Sequence, residues 1–157
     1  MTLVTLVGGI IVILDQAVKW IALHALPPGA PVTVIDGFFS LTLVMNPGLA
    51  FGMLGTVPPA WRWVVALLSV AAVGVLASIA TRLLPEGGRV AAVSIGMIFG
   101  GAAGNLIDRA RFGAVVDFLD FYWRGWHWPA FNVADSAISV GVALLALRML
   151  TASPPQA

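Results

Sequence analysis

Apolar residues fill four long stretches of the chain, and polar residues gather between them. The stretches cover roughly 3–26, 61–84, 90–107 and 132–150. Each is close to the ~20 residues that an α-helix needs to cross the core of a bilayer. The first stretch stops at Pro27-Pro28, where a helix cannot continue. The second carries no charge between Trp63 and Thr81. The fourth has Asp135 near its start and Arg148 near its end. A short segment, Arg82 to Arg89, joins the second and third stretches as a turn, so those two helices are expected to be antiparallel neighbours. The segment Val32–Val44 alternates apolar and polar positions around Asp36-Gly37, which is a β-hairpin signal. The segment Asp108–Phe131 is rich in aromatic residues, among them Phe112, Phe118, Phe121, Tyr122, Trp123, Trp126 and Trp128. Trp and Tyr favour the membrane–water boundary, so this loop is expected to lie at that boundary. The pattern predicts one multi-pass, mainly α membrane domain over 1–157 with four transmembrane helices.

Composition sharpens this picture. Of 157 residues, 60% are hydrophobic and only 10% charged, and the mean hydropathy is +1.00. A soluble domain carries roughly a quarter charged residues. Disorder requires low hydrophobicity, and nucleic-acid binding requires a basic patch that a net charge of +1 does not supply. The absence of cysteine excludes disulfides, thiolate metal sites and a thiol nucleophile. With only His24 and His127, neither a metal nor a cofactor is expected. Asp15, Gln16 and Lys19 interrupt the first stretch and no Lys or Arg precedes it, so a cleavable signal peptide is a poor reading. Four spans place both long loops on one side and both termini on the other. Arginine counts do not decide which side is cytoplasmic: Arg82, Arg89 and Arg148 stand on one, Arg62, Arg109, Arg111 and Arg124 on the other. No internal repeat supports an inverted-repeat transporter.

In such a chain each intramembrane charge is costly and marks a pairing or a task. Asp36 and Glu86 fall in expected turns. Asp15 and Lys19 share a helix face at i, i+4, as a structural ion pair or as part of a site. Small residues at 100–104 suit close helix packing. Asn105, Asp108 and Arg109 follow them at spacings that converge on one face. Asp117 sits among apolar neighbours. Asp135 opens the fourth helix, where a capping role beside Asn132 competes with a chemical one. Two carboxyls brought together in a dry site share one proton, so that one acts as base and the other as acid. Spacing alone does not bring Asp117 and Asp135 together. A Ser136–His127–Asp135 triad is disfavoured, because Ser136 and Asp135 are adjacent on a helix and point apart. Asp120 is read as structural. A proton-coupled transporter and a noncatalytic scaffold are the alternatives from other classes.

Five blocks carry a resemblance: Asp15-Gln-Ala-Val-Lys19, Asn46-Pro-Gly-Leu-Ala-Phe-Gly52, Gly100-Gly-Ala-Ala-Gly-Asn-Leu-Ile-Asp-Arg109, Val115-Val-Asp-Phe118 and Phe131-Asn-Val-Ala-Asp-Ser136. In order and spacing, over nearly the whole chain, they resemble the bacterial lipoprotein signal peptidases, the type II signal peptidases. The resemblance implies an intramembrane aspartyl endopeptidase that cuts prolipoproteins just before a diacylglyceryl-modified cysteine. It implies Asp117 and Asp135 as the catalytic dyad, with no metal. Asn46, Gly48, Asn105, Arg109, Asn132 and Ala134 would line the substrate site, and Asp15, Lys19, Gly101, Gly104 and Asp108 would support it. It implies a small sheet, a cradle, in the first extracytoplasmic loop and a short interfacial helix in the second, for which Tyr122–Trp128 is the counterpart. Both termini would be cytoplasmic and the dyad near the outer leaflet of the bacterial inner membrane. The expected partners are prolipoproteins, membrane lipid and the inhibitor globomycin, the enzyme being a monomer. One departure is visible: Leu49 follows Gly48 where the family commonly has alanine, and Pro47 precedes it.

Overall fold

The computed structural model describes residues 1–47 and 62–151. Helix α1 runs over Thr2–Ala25. It stops where Leu26 turns to extended backbone, φ −92° and ψ 132°, the conformation that a following proline imposes. Its polarity is inside-out. Ile10, Ile13, Leu14 and Ile21 face outward, while Asp15 and Lys19 are 0% and 2% exposed. A face of aliphatic side chains with charges turned inward suits lipid as solvent.

Helix α2 spans Arg62–Phe112 and is broken at Gly88, whose φ of 63° and ψ of −153° are not helical. The expected turn from Arg82 to Arg89 is thus corrected to a break at one glycine: the backbone is helical on both sides of it, through Glu86. Only glycine takes this conformation without strain. The arm after the break, Gly88–Phe112, also runs beyond the expected end at residue 107. That extension keeps Asp108 and Arg109 inside a helix, one turn beyond Asn105. Helix α3 covers Val133–Thr151. Among the described residues α1, Gly88–Phe112 and α3 are each long and apolar enough to cross a membrane.

Glycines let these helices touch backbone to backbone. A Cβ on Gly100 would stand 2.6 Å from the Gly8 carbonyl oxygen, and one on Gly141 2.8 Å from that of Ser94. The first contact joins α1 to α2, the second α2 to α3. In lipid, where no hydrophobic effect drives helices together, this close approach supplies the packing.

The rest is one antiparallel sheet of four strands in the order β1-β2-β3-β4: β1 Val32–Ile35, β2 Phe39–Asn46, β3 Val115–Trp123 and β4 Trp126–His127. The hairpin expected around Asp36-Gly37 is present, with Ile35 paired to Phe39 and Gly37 at φ 74°. The interfacial helix expected in the second long loop is not what Tyr122–Trp128 forms. These residues make the end of β3, a two-residue turn and β4, with Trp123 paired to Trp126. Arg124 and Gly125 both have positive φ, 51° and 82°, as a tight hairpin turn requires. β-Branched and aromatic residues dominate Val115–Trp123, and β2 offers an open edge for them to pair with. The sheet is therefore shared by both long loops: Asn46 pairs with Val115 and Val44 with Asp117.

Candidate active site

Asp117 reaches its place because β3 leaves the end of α2 and immediately pairs with β2. Asn46 stands diagonally across the ladder from it, on the same face. Its Nδ2 donates to Asp117 Oδ2 at 2.9 Å. The segment entering α3 closes over the same strand, since Phe118 and Leu119 donate their N–H groups to the Phe131 carbonyl. Asn132 follows, fully buried, and its Nδ2 donates to Asp117 Oδ1 at 2.7 Å. Its Oδ1 accepts the backbone N–H of Asp135 at 2.9 Å. Asn132 is thus the N-cap of α3, as the spacing allowed. Asp135 is not tied up in a reciprocal capping role: its Oδ1 accepts from Asn105 Nδ2 at 2.8 Å. Capping and site geometry coexist at this helix start.

Burial dominates the environment of Asp117, which is 1% exposed. Desolvation pushes its carboxyl up to about 7; the Asn46 N–H works against this, the charge of Asp135 adds to it, and Asn132 and Lys19 oppose it. The charge of Asp135 thus reaches Asp117 across the site. The Arg109 guanidinium interacts with the charges of Asp135, Asp117 and Asp108, and its Nη1 donates to the Asn105 carbonyl at 3.3 Å.

Behind this pair lies a second, fully buried cluster. Lys19 Nζ is 2.9 Å from Asp15 Oδ2 and 2.8 Å from Asp108 Oδ2, and it donates to Asn105 Oδ1 at 2.9 Å. The expected Asp15–Lys19 pair is real and has a third member. Asp15 Oδ1 also accepts the Ala134 N–H at 2.9 Å, at the positive end of α3. Asp108 Oδ2 accepts the Val116 N–H at 3.1 Å. One cluster thereby ties α1, α2, β3 and α3 together. Gly104 is required here, because a Cβ on it would collide with the Asp15 carboxylate. Gly101 lies against the Ala134 carbonyl in the same way.

The structure thus brings together Asn46, Asn105, Arg109, Asp117, Asn132 and Asp135, with Asp15, Lys19, Gly101, Gly104 and Asp108 behind them. Ala134 is 0% exposed, packed between helices with its N–H given to Asp15. Gly48 and Leu49 lie outside the described residues. Ser136 and His127 are not brought together: Ser136 Oγ donates to the Asn132 carbonyl, and His127 Nδ1 pairs with Asp120 at 2.8 Å. Gln16 was not anticipated. Its Nε2 donates to Asp108 Oδ1 at 2.9 Å and its Oε1 accepts from Arg111 at 3.2 Å. The available signal was an amide in an apolar stretch, between the members of an i, i+4 ion pair.

Comparison with known proteins bears on this arrangement. The sequence model of the family described as signal peptidase (SPase) II matches residues 7–151. The chain belongs to the signal peptidase II family. Its relatives include the lipoprotein signal peptidase of Geobacter sulfurreducens, 49% identical over 138 residues, 88% of this chain and 85% of that protein. The lipoprotein signal peptidase of Nitratidesulfovibrio vulgaris is 41% identical over 95% of this chain and 90% of its own length. A solved bacterial membrane enzyme superposes with a TM-score of 0.76 at 28% identity, covering 100% of this chain and 94% of its own. Membership of the signal peptidase II family makes the protein a peptidase, and its apolar helices and structural neighbours make it a membrane protein.

Proposed function

We propose that this signal peptidase II is an intramembrane aspartyl endopeptidase that cleaves prolipoproteins just before a diacylglyceryl-modified cysteine, with Asp117 and Asp135 as its dyad. The observation that carries the reading is the linking of two carboxyls on different elements through two motif asparagines: Asn132 holds Asp117, Asn105 holds Asp135, and the two amides meet at 3.2 Å. Two carboxyls in such a site share a proton and titrate as a unit. The ionised member takes a proton from a water, whose oxygen adds to the scissile carbonyl. The protonated member gives its proton to the carbonyl oxygen. Collapse of the tetrahedral intermediate breaks the C–N bond: the leaving amine takes a proton from the dyad while one hydroxyl of the intermediate returns a proton to it, so that one shared proton remains. Arg109 faces the site as a cation able to hold polar groups of the substrate. Asn46, Asn105 and Asn132 fix the carboxyl oxygens.

In this reading the single domain crosses the inner membrane four times, the arms of α2 on either side of Gly88 being the second and third spans. Both termini are cytoplasmic. The sheet rests against the outer leaflet at the depth of the dyad, and the enzyme acts as a monomer. A lipid-modified signal helix partitions into the bilayer, so a groove open to lipid can receive it without full desolvation. The test is cleavage of a prolipoprotein by the purified protein in vesicles, with and without the diacylglyceryl group. The expected product begins at the modified cysteine, the unmodified precursor is spared, and globomycin blocks the reaction. Equal cleavage of both precursors would overturn the substrate assignment.

A further inference from the structure

Two amides connect the aspartates to the buried network, and neither is free to turn over. Asn105 Oδ1 stands 2.9 Å from Lys19 Nζ. An ammonium donates three hydrogen bonds and accepts none, so the amide atom facing it must be the oxygen. The oxygen and nitrogen of an amide are otherwise assigned only from their surroundings; here a donor-only neighbour decides. The NH2 group is therefore turned onto Asp135 Oδ1, at 2.8 Å. Lys19 is itself immobilised, with Asp15, Asp108 and Asn105 as its acceptors. Asn132 is oriented in the same manner. The backbone N–H of Asp135 can only donate, so Oδ1 of Asn132 faces it and Nδ2 faces Asp117 Oδ1.

A carboxyl oxygen that accepts an N–H cannot direct its own proton along the same line. Asp135 Oδ1 is closed to the shared proton in this way, and so are both oxygens of Asp117, which accept from Asn132 and Asn46. We infer that Lys19 is a positioning residue of the dyad: by forcing the Asn105 amide to turn its N–H toward Asp135, it keeps the proton off Asp135 Oδ1 and leaves Asp135 Oδ2 as the carboxyl oxygen open to it. Without Lys19 only the longer bond from Asn132 Nδ2, 3.2 Å, opposes a flip of the amide that presents its oxygen to Asp135. The proton then settles on Oδ1 in a bond to Asn105, where it cannot reach a substrate. This inference rests on the dyad reading of Asp117 and Asp135. The charged groups around Asn105 are Asp15 and Lys19 on α1, Asp108 and Arg109 on α2, Asp117 on β3 and Asp135 on α3.

The test is the pH–rate profile of the reconstituted enzyme on lipid-modified precursor. Lys19→Met, Asn105→Ala and the double variant are compared with wild type. Loss of the N–H disfavours ionisation of the dyad, so both limbs of the profile should move to higher pH by about one unit. kcat should fall while KM stays within about twofold. Because the Lys19 charge also acts on Asp117 directly, the double variant is compared with Asn105→Ala in an Asp108→Asn background, where losing Lys19 leaves the net charge at its wild-type value, and there the two should match. Lys19→Arg, also donor-only, should keep the wild-type profile. Lys19→Met leaves two buried carboxylates short of a cation, so Lys19→Met with Asp108→Asn, which removes one charge of each sign, serves if it misfolds. An unchanged profile in either Lys19→Met background, or shifts that add in the double variant, would overturn the positioning role. If Asp117→Asn and Asp135→Asn both remain active, the dyad reading fails instead.

Discussion

Asp117 shows what a strand position can do to a carboxyl. Its place in β3 removes it from water, and two asparagine amides only partly replace that water. Its carboxyl is pushed up to about 7, chiefly by burial, above the usual value near 4. A raised carboxyl favours the folded state below the unfolded-state value, and that contribution is lost as pH rises through about 7. The ceiling is about 4 kcal/mol. Thermal unfolding in detergent should thus show wild type losing stability between pH 4.5 and pH 8, whereas Asp117→Asn loses markedly less. Parallel curves would contradict the burial argument. Gly104→Ala makes a second residue-scale prediction. Its Cβ would displace the Asp15 carboxylate from Lys19 and from the α3 N-terminus. Overpacking of this kind costs about 1–3 kcal/mol, and lowered melting with strongly reduced activity is expected.

Among the elements, α1 and α3 were the most legible. A proline pair ends α1 and an asparagine cap opens α3, both local signals, and their starts and ends fall within about one residue of expectation. The break at Gly88 was less legible, because a glycine pair and a proline in a short polar segment read as an open turn. The hairpin Tyr122–Trp128 was missed because its pairing is nonlocal. Aromatic residues at a membrane boundary suit a helix or a strand, and the decision belongs to the β2 edge, distant in sequence. The site was legible to the same degree. Residues within one helix, such as Asn105 and Arg109, could be grouped by period, but only the fold brings Asp117 beside Asn46 and Asn132. Asp120 joins β3 to β4 through His127 and to β2 through Thr42, which accords with a structural role. Half-exposed pairs of this kind are worth at most about 1 kcal/mol. His127→Ala should raise hydrogen exchange at 122–128 while leaving cleavage within about threefold of wild type, measured by mass spectrometry and turnover.

At the scale of the molecule, the arrangement inverts that of a soluble protein. Aliphatic side chains cover α1 and α3, and the charges gather at the junction of helices and sheet. Of the seven acids, Asp15, Asp108, Asp117 and Asp135 meet there, and Lys19 and Arg109 join them. Scarcity of charge thus pointed to the site before its geometry was known. The four-span topology is directly testable, since the chain has no native cysteine. A cysteine replacing Asp36 should be labelled by an impermeant thiol reagent from outside intact spheroplasts, and one replacing Arg148 only after lysis. The central claim is that Asp117 and Asp135 together perform the hydrolysis. Its most direct measurement is the initial rate of cleavage of lipid-modified prolipoprotein by wild type, Asp117→Asn and Asp135→Asn in identical vesicles, with folding checked by thermal unfolding. Each variant should fold and lose at least ~100-fold in rate, the usual worth of a positioned acid or base. Cleavage at the wild-type rate by either variant would contradict the account.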